Sequence, residues 1–333
     1  MRIIFAGSPA PALPTLEYLV DSSHEVVGVL SRPDAPRGRG RKLQASAVAQ
    51  YAQEHHLPLY QPRSLKNDST IATILRNLSP DLGVVVAYGA ILPLEILKIP
   101  RYGWINLHFS LLPRWRGAAP VQRAVQAGDT ETGVTVFNLE PTLDTGSIYA
   151  KLRYNIPPNA SAGEVLEDLS ELAISPLEIS LDKIVAGTPP DPQAQIGISY
   201  APQLSVAEGQ IDWTQNSEAI SAHIRGFTPN PGAWTILSGL RFKIGVLASG
   251  AEFPRQAMEL APGQIFPTRQ GVWVGTGSTP VCLGTIAPAG KKHMPAVDWA
   301  RGARLEFGMN FDLGVAPHEA DTTKPVNPQP ERR

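Results

Sequence analysis

Short apolar runs alternate with helical segments through the first half of the chain, and this alternation constrains the fold more than any other feature. Arg2 to Ala6, Glu25 to Leu30 and Asp81 to Ala87 are typical of buried strands, while Leu13 to Val20 has the apolar spacing of a helix. The run DLGVVVA is apolar after its first residue, as expected for a strand of a parallel sheet that is covered on both faces. The pattern predicts an α/β fold with a Rossmann-like, doubly wound, mostly parallel sheet.

The chain changes character after a long helix predicted over Ser161 to Val185, which opens with the S-x-x-E pattern of a capping box. Residues 189–207 are rich in Pro and Gln, and we expect them to link two domains. A small OB-like β-barrel is predicted beyond them from five short strands: Ala233–Leu237, Arg241–Leu247, Gly263–Pro267, Gly271–Val274 and Val281–Ala287. The predicted domains are 1–188 and 208–310, followed by a polar, mobile tail at 311–333.

Composition excludes several classes of protein. The chain has 333 residues and a net charge of −1, so it is not a polycation built throughout for nucleic acid. Its single cysteine, Cys282, excludes an intramolecular disulfide and fits a small core residue in a reducing compartment. No apolar window is long and unbroken enough to span a membrane, and the run MRIIFAG is too short for a signal peptide. We therefore expect a cytoplasmic protein with no membrane partner.

The stretch GWINLHFSLLPRWRGAAPVQRA, residues 103–124, combines a predicted strand, a turn with cationic residues and the start of a helix. Asn106 and His108 are two residues apart, so on a strand their side chains leave the same face. In an open α/β sheet, ligands bind outside the carboxyl ends of the strands. An amide can stabilise a developing oxyanion there, and an imidazole can move a proton near neutral pH. Equally, Asn106 could end a strand and His108 could be a core histidine.

Asp144 follows another predicted strand, Gly133 to Leu139, in the loop that contains Asp-Thr-Gly. Aspartate before Thr-Gly is a common turn residue, so a structural role is an alternative. Asn106, His108 and Asp144 from neighbouring strand ends would nevertheless form a small acid/base and oxyanion site. The sequence has no H-x-x-H or C-x-x-C motif, and we expect this site to use no metal.

Two loops are candidates for ligand binding. Residues 88–93, Tyr-Gly-Ala-Ile-Leu-Pro, follow the strand at 81–87 and suit the wall of a pocket for a flat ligand, although a packed connection fits the pattern equally well. The second loop, SRPDAPRGRGRKL at 31–43, carries five cations within eleven positions, which favours a phosphate clamp over a merely solvated loop.

The sequence fingerprint of dinucleotide-binding proteins is missing after the first strand, since only Gly7 stands where G-x-G-x-x-G would be expected.

With these motifs assembled, the sequence resembles the methionyl-tRNA formyltransferase family, a branch of the folate-dependent formyltransferases. The resemblance extends to about Gly308 and is carried by RIIFAGSP, RPDAPRGRGRKL, VVAYGAILP, INLHFSLLPRWRGAAPVQRA, GDTETGVTV with LDTG, YAPQLS…IDW and PAGKKHMPAVDWARG. The N-x-H…SLLP…D set specifies only the wider family, which includes glycinamide ribonucleotide formyltransferase. The RGRG loop and the GKK segment of the barrel narrow the resemblance to the tRNA-directed branch.

The resemblance implies formyl transfer from 10-formyltetrahydrofolate to the α-amine of methionine on initiator tRNA, in translation initiation. It implies Asn106, His108 and Asp144 as the catalytic set, without a metal. The implied folate-binding residues lie in two loops: Tyr88, Gly89, Ile91, Leu92, Ser110, Leu111, Leu112 and Pro113. The implied tRNA-binding cations are Arg37, Arg39, Arg41, Lys42, Lys291 and Lys292, with the basic loop meeting the acceptor stem. We expect a monomer.

The chain departs from the family pattern at two positions near the domain junction. Gln203 stands where the family usually has Lys, and Asn230 stands where it usually has Trp. These departures bear on tRNA docking and leave the formyl-transfer residues intact.

Two other functions are weighed against this one. One is a folate-dependent formyltransferase acting on a small amine, such as an amino sugar or a ribonucleotide. The other is a non-catalytic nucleic-acid-binding module.

Overall fold

A computed structural model describes residues 1–37, 42–66, 68–250, 254–303, 305 and 308–314. The strands of the first domain are β1 (Arg2–Gly7), β2 (Glu25–Leu30), β3 (Ala35–Arg37), β4 (Lys42–Gln44), β5 (Leu59–Tyr60), β6 (Leu82–Val86), β7 (Trp104–His108), β8 (Glu131–Asn138) and β9 (Ile148–Asn155). The helices of this domain are α1 (Leu13–Asp21), α2 (Ala47–Glu54), α3 (Ser69–Asn77), α4 (Leu94–Leu97), α5 (Pro120–Gln126), α6 (Ala162–Leu172) and α7 (Ile174–Val185).

The large sheet of the first domain has the order β5-β2-β1-β6-β7-β8-β9. Pairing is parallel from β5 to β7, and β8 and β9 continue the sheet as antiparallel strands. Along β1, Ile3 and Phe5 pack in the core on one face of the sheet, whereas Ile4 and Ala6 pack in the core on the other. The predicted Rossmann-like, mostly parallel sheet with both faces covered is confirmed.

The direction of β8 corrects one expectation. Ile105 pairs with Asn138 in antiparallel register, so β8 ends beside the start of β7. The expectation that Asp144 and His108 share one edge because both follow neighbouring strand ends is therefore wrong. The loop 139–147 between β8 and β9 must return across the face of the sheet before its side chains can reach the carboxyl end of β7.

The long helix predicted over Ser161 to Val185 is two helices, α6 and α7, separated at Ala173. Pro176 lies in the first turn of α7 and cannot donate a backbone hydrogen bond to the preceding turn, which accounts for the break. The predicted capping box is confirmed at Ser161, whose backbone N–H donates to Glu164 Oε2 at 2.8 Å.

The second domain contains α8 (Ser217–Phe227), β10 (Ala233–Leu237), β11 (Leu240–Ile244), β12 (Ile265–Pro267), β13 (Val272–Val274), β14 (Val281–Leu283), β15 (Thr285–Pro288), β16 (Met294–Pro295) and α9 (Ala296–Ala303). The strands form two antiparallel sheets, with the orders β10-β11-β15-β16 and β12-β13-β14. The single strand predicted over Val281 to Ala287 is wrong, because the chain changes sheet at Gly284. A Cβ atom at Gly284 would lie 2.3 Å from the backbone oxygen of Val246, so only glycine fits this crossing.

Aromatic stacking fills the core of the second domain. Trp213 stacks on Phe311 with ring centroids 5.5 Å apart, and both side chains are fully buried. Phe311 belongs to the segment predicted as the start of the mobile tail, so the fold extends to it; residues 315–333 lie outside the described part of the chain. Cys282 is buried as expected, and burial raises the pKa of its thiol. No helix among the described residues is long and apolar enough to cross a membrane.

The two domains meet where α5 packs against α8. Gly226 on α8 lies so close to α5 that a Cβ atom there would be 2.7 Å from the Gln126 Cβ. Arg123 on α5 is 4% exposed, and its guanidinium donates to the Glu208 carboxylate at 2.8 Å and to the Pro202 carbonyl at 3.0 Å. These bonds tie the segment that enters the second domain to a helix of the first.

We predict that Glu208→Gln destabilises the chain by about 2 kcal/mol at pH 7, the scale of a hydrogen bond to a charged group. Burial alone would raise the pKa of the Glu208 carboxyl, but hydrogen bonds from Ser205 and Arg123 outweigh burial and hold the pKa below its ordinary value. The ionised group therefore contributes stability above an unfolded-state pKa of about 4.3 and loses it as pH falls through the folded-state pKa.

Urea unfolding of the wild type and the variant at pH 7 and near pH 3.5 measures this contribution. The difference between the two proteins should shrink at the lower pH. Glu218→Gln, an exposed change on the same domain, is the matched control and should have little effect at either pH. A Glu208→Gln difference that is equal at both pH values would show that the charge of Glu208 contributes nothing.

Candidate active site

The site begins at the carboxyl end of β7. Alternation along this strand directs Ile105 and Leu107 into the core on one face of the sheet, and leaves Asn106 and His108 together on the other. His108 is 5% exposed, and its imidazole lies nearly perpendicular to the Phe137 ring, with centroids 6.3 Å apart. Asn106 is only half-buried. The predicted juxtaposition of these two residues is thus consistent with the strand geometry.

A hydrogen bond to the backbone fixes the His108 ring. Its Nε2 lies 2.8 Å from the carbonyl oxygen of Trp115. A carbonyl oxygen can only accept a hydrogen bond, so Nε2 carries a proton and donates it to this bond. In the neutral imidazole, Nδ1 is then the unprotonated nitrogen, and it faces the Asp144 carboxylate.

Asp144 lies in the loop at 139–147, here called the returning loop, and its side chain reaches His108. Its Oδ2 lies 3.9 Å from His108 Nδ1, and the same oxygen accepts a hydrogen bond of 2.7 Å from the backbone N–H of Gly117. The backbone of Asp144 is left-handed, with φ of +51°, a conformation that Asp tolerates better than most residues. The structure therefore places Asp144 in a turn and also next to His108.

The carboxylate, the imidazole and an uncommitted amide together suit proton transfer beside a developing negative charge. Within the described part of the chain, the Asn106 side chain has no hydrogen-bond partner, so its amide is available to a ligand. The gap of 3.9 Å between His108 and Asp144 exceeds a hydrogen bond, but such contacts commonly tighten only when substrate is present. No group of three His, Cys, Asp or Glu side chains with the geometry of a metal site occurs among the described residues.

The loop that follows β6 divides into buried and exposed residues. Tyr88 and Leu92 are 2% and 5% exposed and pack in the core beside Trp104. Gly89 and Ile91 are exposed, Ile91 at 67%, and form the surface of the loop. The backbone of Gly89 is left-handed, with a φ of +78°. The Tyr88 hydroxyl is buried without a hydrogen-bond partner among the described residues, and burial raises the pKa of Tyr88 to about 12.

The turn at 110–113 is held mainly by contacts within the protein. The Ser110 hydroxyl donates to the Arg114 carbonyl at 2.7 Å, and the Leu112 N–H donates to the Thr135 hydroxyl at 3.1 Å. Leu112 and Pro113 are buried, and Leu111 packs over Gly133 on β8. This turn and the loop at 88–92 follow adjacent parallel strands, so both lie at the same edge of the sheet.

The cationic residues fall in three places. Arg37 and Lys42 pair their backbones in the short β3–β4 ladder, while Arg39 and Arg41 lie outside the described residues. Lys291 and Lys292 are exposed in the turn between β15 and β16. Arg116, part of the cationic run after the SLLP turn, is instead 5% exposed.

Sequence reasoning missed the residues that support Asp144. Gln193 donates to the carbonyl oxygens of Asp144 and Gly146, each at 2.8 Å, and accepts from Arg116 at 2.8 Å. Gln193 lies in the segment 189–207, which was expected only to link the domains. A glutamine among exposed, Pro-rich residues gives no signal of such a role.

Comparison with known proteins identifies the family of the chain. The family described as Formyl transferase matches residues 1–177, and its C-terminal domain matches residues 203–304. A methionyl-tRNA formyltransferase of Acidothermus cellulolyticus is 48% identical over 325 residues, covering 94% of this chain and all of the relative.

Solved structures show the same fold at low identity. HypX from Aquifex aeolicus, in complex with tetrahydrofolic acid, aligns with a TM-score of 0.63 at 18% identity, covering 90% of this chain and 47% of that one. WlaRD, a sugar 3N-formyl transferase, aligns with a TM-score of 0.62 at 17% identity, covering 88% of this chain and 99% of that one. The chain therefore belongs to the formyl transferase family, among the methionyl-tRNA formyltransferases.

Proposed function

We propose that the chain transfers the formyl group of 10-formyltetrahydrofolate to the α-amine of methionine on initiator tRNA, and so acts in translation initiation in the cytoplasm. The observation that carries this proposal is that Asp144 lies beside His108 at the end of β7, on the face of the strand that also bears Asn106, whose amide has no hydrogen-bond partner among the described residues. Nearly full-length similarity at 48% identity to a methionyl-tRNA formyltransferase supports the choice of acceptor. Residues 1–188 serve as the catalytic domain and 208–310 as the tRNA-binding domain of a monomer.

Transfer requires that the amine nitrogen bond to the formyl carbon while the bond from that carbon to the folate N10 breaks. The folate donor supplies a formyl carbon already bonded to a nitrogen leaving group. Asn106 donates its amide N–H to the formyl oxygen, where negative charge grows. His108 stabilises the same oxygen through a proton on Nδ1, since its Nε2–H is already donated to the Trp115 carbonyl, and preorganised donors act strongly in a site that excludes water.

The attacking amine must lose one proton, and the folate nitrogen must gain one. The Asp144 carboxyl group lies beside His108 Nδ1. Asp144 accepts the amine proton directly or through a water, and the same proton passes to the folate N10 as the bond from N10 to the formyl carbon breaks. The Gly117 N–H holds Oδ2 of Asp144, which leaves the other carboxylate oxygen for this transfer.

The donor site is proposed at the edge formed by the loops after β6 and β7. It comprises Tyr88, Gly89, Ile91 and Leu92 with Ser110, Leu111, Leu112 and Pro113. The buried Tyr88 hydroxyl stays protonated at neutral pH and has no hydrogen-bond partner among the described residues, so it can donate to a polar group of a bound ligand. Exposed Ile91 supplies apolar surface for a flat ring system.

The tRNA is proposed to contact both domains through phosphates. Lys291 and Lys292 project from an exposed turn of the second domain. Arg37 and Lys42 flank the end of the β3–β4 ladder, and Arg39 and Arg41 belong to the same basic loop. A small amine acceptor remains the second candidate because of the fold shared with a sugar 3N-formyl transferase, although that likeness is only 17% identical.

We expect rapid formylation of initiator Met-tRNA and slow formylation of elongator Met-tRNA in a side-by-side assay with 10-formyltetrahydrofolate and no added metal. The acceptor is a macromolecule in this proposal, so free methionine and an amino-sugar nucleotide should be poor acceptors. Formylation of the amino-sugar nucleotide alone would replace the proposed function by the second candidate. Absence of folate binding would favour a non-catalytic nucleic-acid-binding module.

The Asp144→Asn variant should lose about 10²- to 10⁴-fold in kcat, the usual contribution of general acid–base catalysis. Its KM for tRNA should change little, because Asn keeps the size of the side chain and its oxygen can still accept from Gly117. Single-turnover formylation measures the loss. Asp191→Asn, at an exposed aspartate, is the matched control and should retain full activity. Full activity of Asp144→Asn would remove this residue from the mechanism.

The double substitution Lys291→Ala and Lys292→Ala should weaken tRNA binding and reduce the slope of log K against log salt by about 1.4 to 1.8. This is the change expected when two phosphate contacts are lost. Filter binding across a range of salt concentrations measures it, and folate affinity serves as the internal control because it should not change. An unchanged salt slope would show that this turn does not touch the tRNA backbone.

A further inference from the structure

Gln193 is the buried exception in an exposed segment. It is 6% exposed, whereas Asp191, Pro192, Ala194 and Gln195 around it are exposed. It also lies between the two parts of the chain that the family matches, which are residues 1–177 and 203–304. A polar side chain that is buried in such a segment needs a reason, because burial of an amide is costly unless its hydrogen bonds are made.

The Gln193 amide uses its oxygen and both of its N–H groups. The two N–H groups donate to the carbonyl oxygens of Asp144 and Gly146, and the oxygen accepts from Nη2 of Arg116. The partners dictate the orientation of the amide, since two carbonyl oxygens can only accept and a guanidinium can only donate. Gln193 therefore bridges the returning loop and the segment after the SLLP turn.

The same stretch of chain also holds the other side of Asp144. The N–H of Arg116 donates to the Ser199 carbonyl at 2.9 Å, and the N–H of Ala201 donates to the Arg116 carbonyl at 2.7 Å. These bonds fix the backbone just before Gly117, whose N–H binds the Asp144 carboxylate. Gln193, Ser199 and Ala201 thus support both the backbone and the carboxylate of Asp144.

The returning loop has little packing of its own to hold it. Residues 140–143 are exposed, including Leu143 at 43%. Asp144 adopts a left-handed backbone, which costs free energy in a residue other than glycine. The position of the Asp144 carboxylate relative to His108 therefore depends on the polar contacts at 144 and 146.

We propose that Gln193, held by buried Arg116, is a positioning residue that sets the Asp144 carboxylate against His108. This inference rests on the proposed function, in which Asp144 takes part in formyl transfer. The donors on Gln193 are the essential feature, because they determine where the loop carbonyls lie. Small displacements of a catalytic group can lower a rate by large factors.

Two variants separate the donors of Gln193 from its size and from its bond to Arg116. Gln193→Glu keeps the size and the acceptor for Arg116, but an ionised carboxylate has no N–H for the loop carbonyls. Gln193→Met keeps the approximate length and removes every hydrogen bond. Gln195→Glu is the matched control, because Gln195 is exposed and, among the described residues, its side chain donates only to the Gln193 carbonyl.

Hydrogen exchange and kinetics are measured on the full-length variants. We expect both Gln193 variants to exchange faster at residues 139–147 and at Gly117, to lose about tenfold or more in kcat, and to keep KM for tRNA within about twofold. In an Asp144→Asn background, Gln193→Met should lower kcat further by less than about twofold, because residues that act through one another are not additive. Gln195→Glu should match the wild type.

Three results would overturn the inference. One is unchanged exchange and kcat in both Gln193 variants. Another is that Gln193→Met lowers kcat by the same factor in the wild-type and the Asp144→Asn backgrounds, as expected for a merely structural role. The third is retention of kcat and of slow exchange by Gln193→Glu alone. A wild type that fails to formylate Met-tRNA contradicts the proposed function instead, while the exchange comparison still decides whether Gln193 positions the loop.

Discussion

The antiparallel pairing of β8 with β7 is the constraint on which the site depends. Because β8 runs back toward the start of β7, the chain that follows β8 leaves the sheet beside the start of β7, whereas His108 lies at its end. The loop at 139–147 therefore crosses the face of the sheet, and its end must be held there by other parts of the chain. Gly117 binds the carboxylate of Asp144, and Gln193 binds the carbonyl groups beside it.

The His108 ring is held by a hydrogen bond to the backbone. The bond from Nε2 to the Trp115 carbonyl leaves Nδ1 turned toward Asp144. Trp115 itself has a left-handed backbone, and its indole N–H donates to Asp129 at 2.8 Å. A rigid turn on one side and a bridged loop on the other thus bring the acid and the imidazole together.

Local patterns predicted those features that depend on neighbouring residues. Strand alternation was enough to put Asn106 and His108 on one face, and the S-x-x-E pattern was enough to find the cap at Ser161. The break at Ala173 was missed although Pro176 was visible, because the apolar spacing continues through it. The split of the strand at Gly284 depends on the distant backbone of Val246, which no local pattern records.

The site residues divide in the same way, into those that local sequence could predict and those that depend on distant partners. His108 and Asp144 were predicted from residue type and context, although the reason given for their proximity was wrong. Gln193 and Arg116 could not be found, since their value lies in partners far away in sequence: Gln193 lies 49 residues from Asp144 and 77 from Arg116. Resemblance to a family adds little there, because the family match leaves residues 178–202 uncovered.

The bond between Gln193 and the loop bears on how such a chain can be divided. The unit that folds and the unit that reacts do not share a boundary, although the family match stops within α7, at residue 177, and begins again at residue 203. A fragment ending at residue 188 would retain β1 to β9 and all three of Asn106, His108 and Asp144. It would nevertheless lack the amide that holds the last of these, so dissection at the apparent domain border separates a catalytic group from its support.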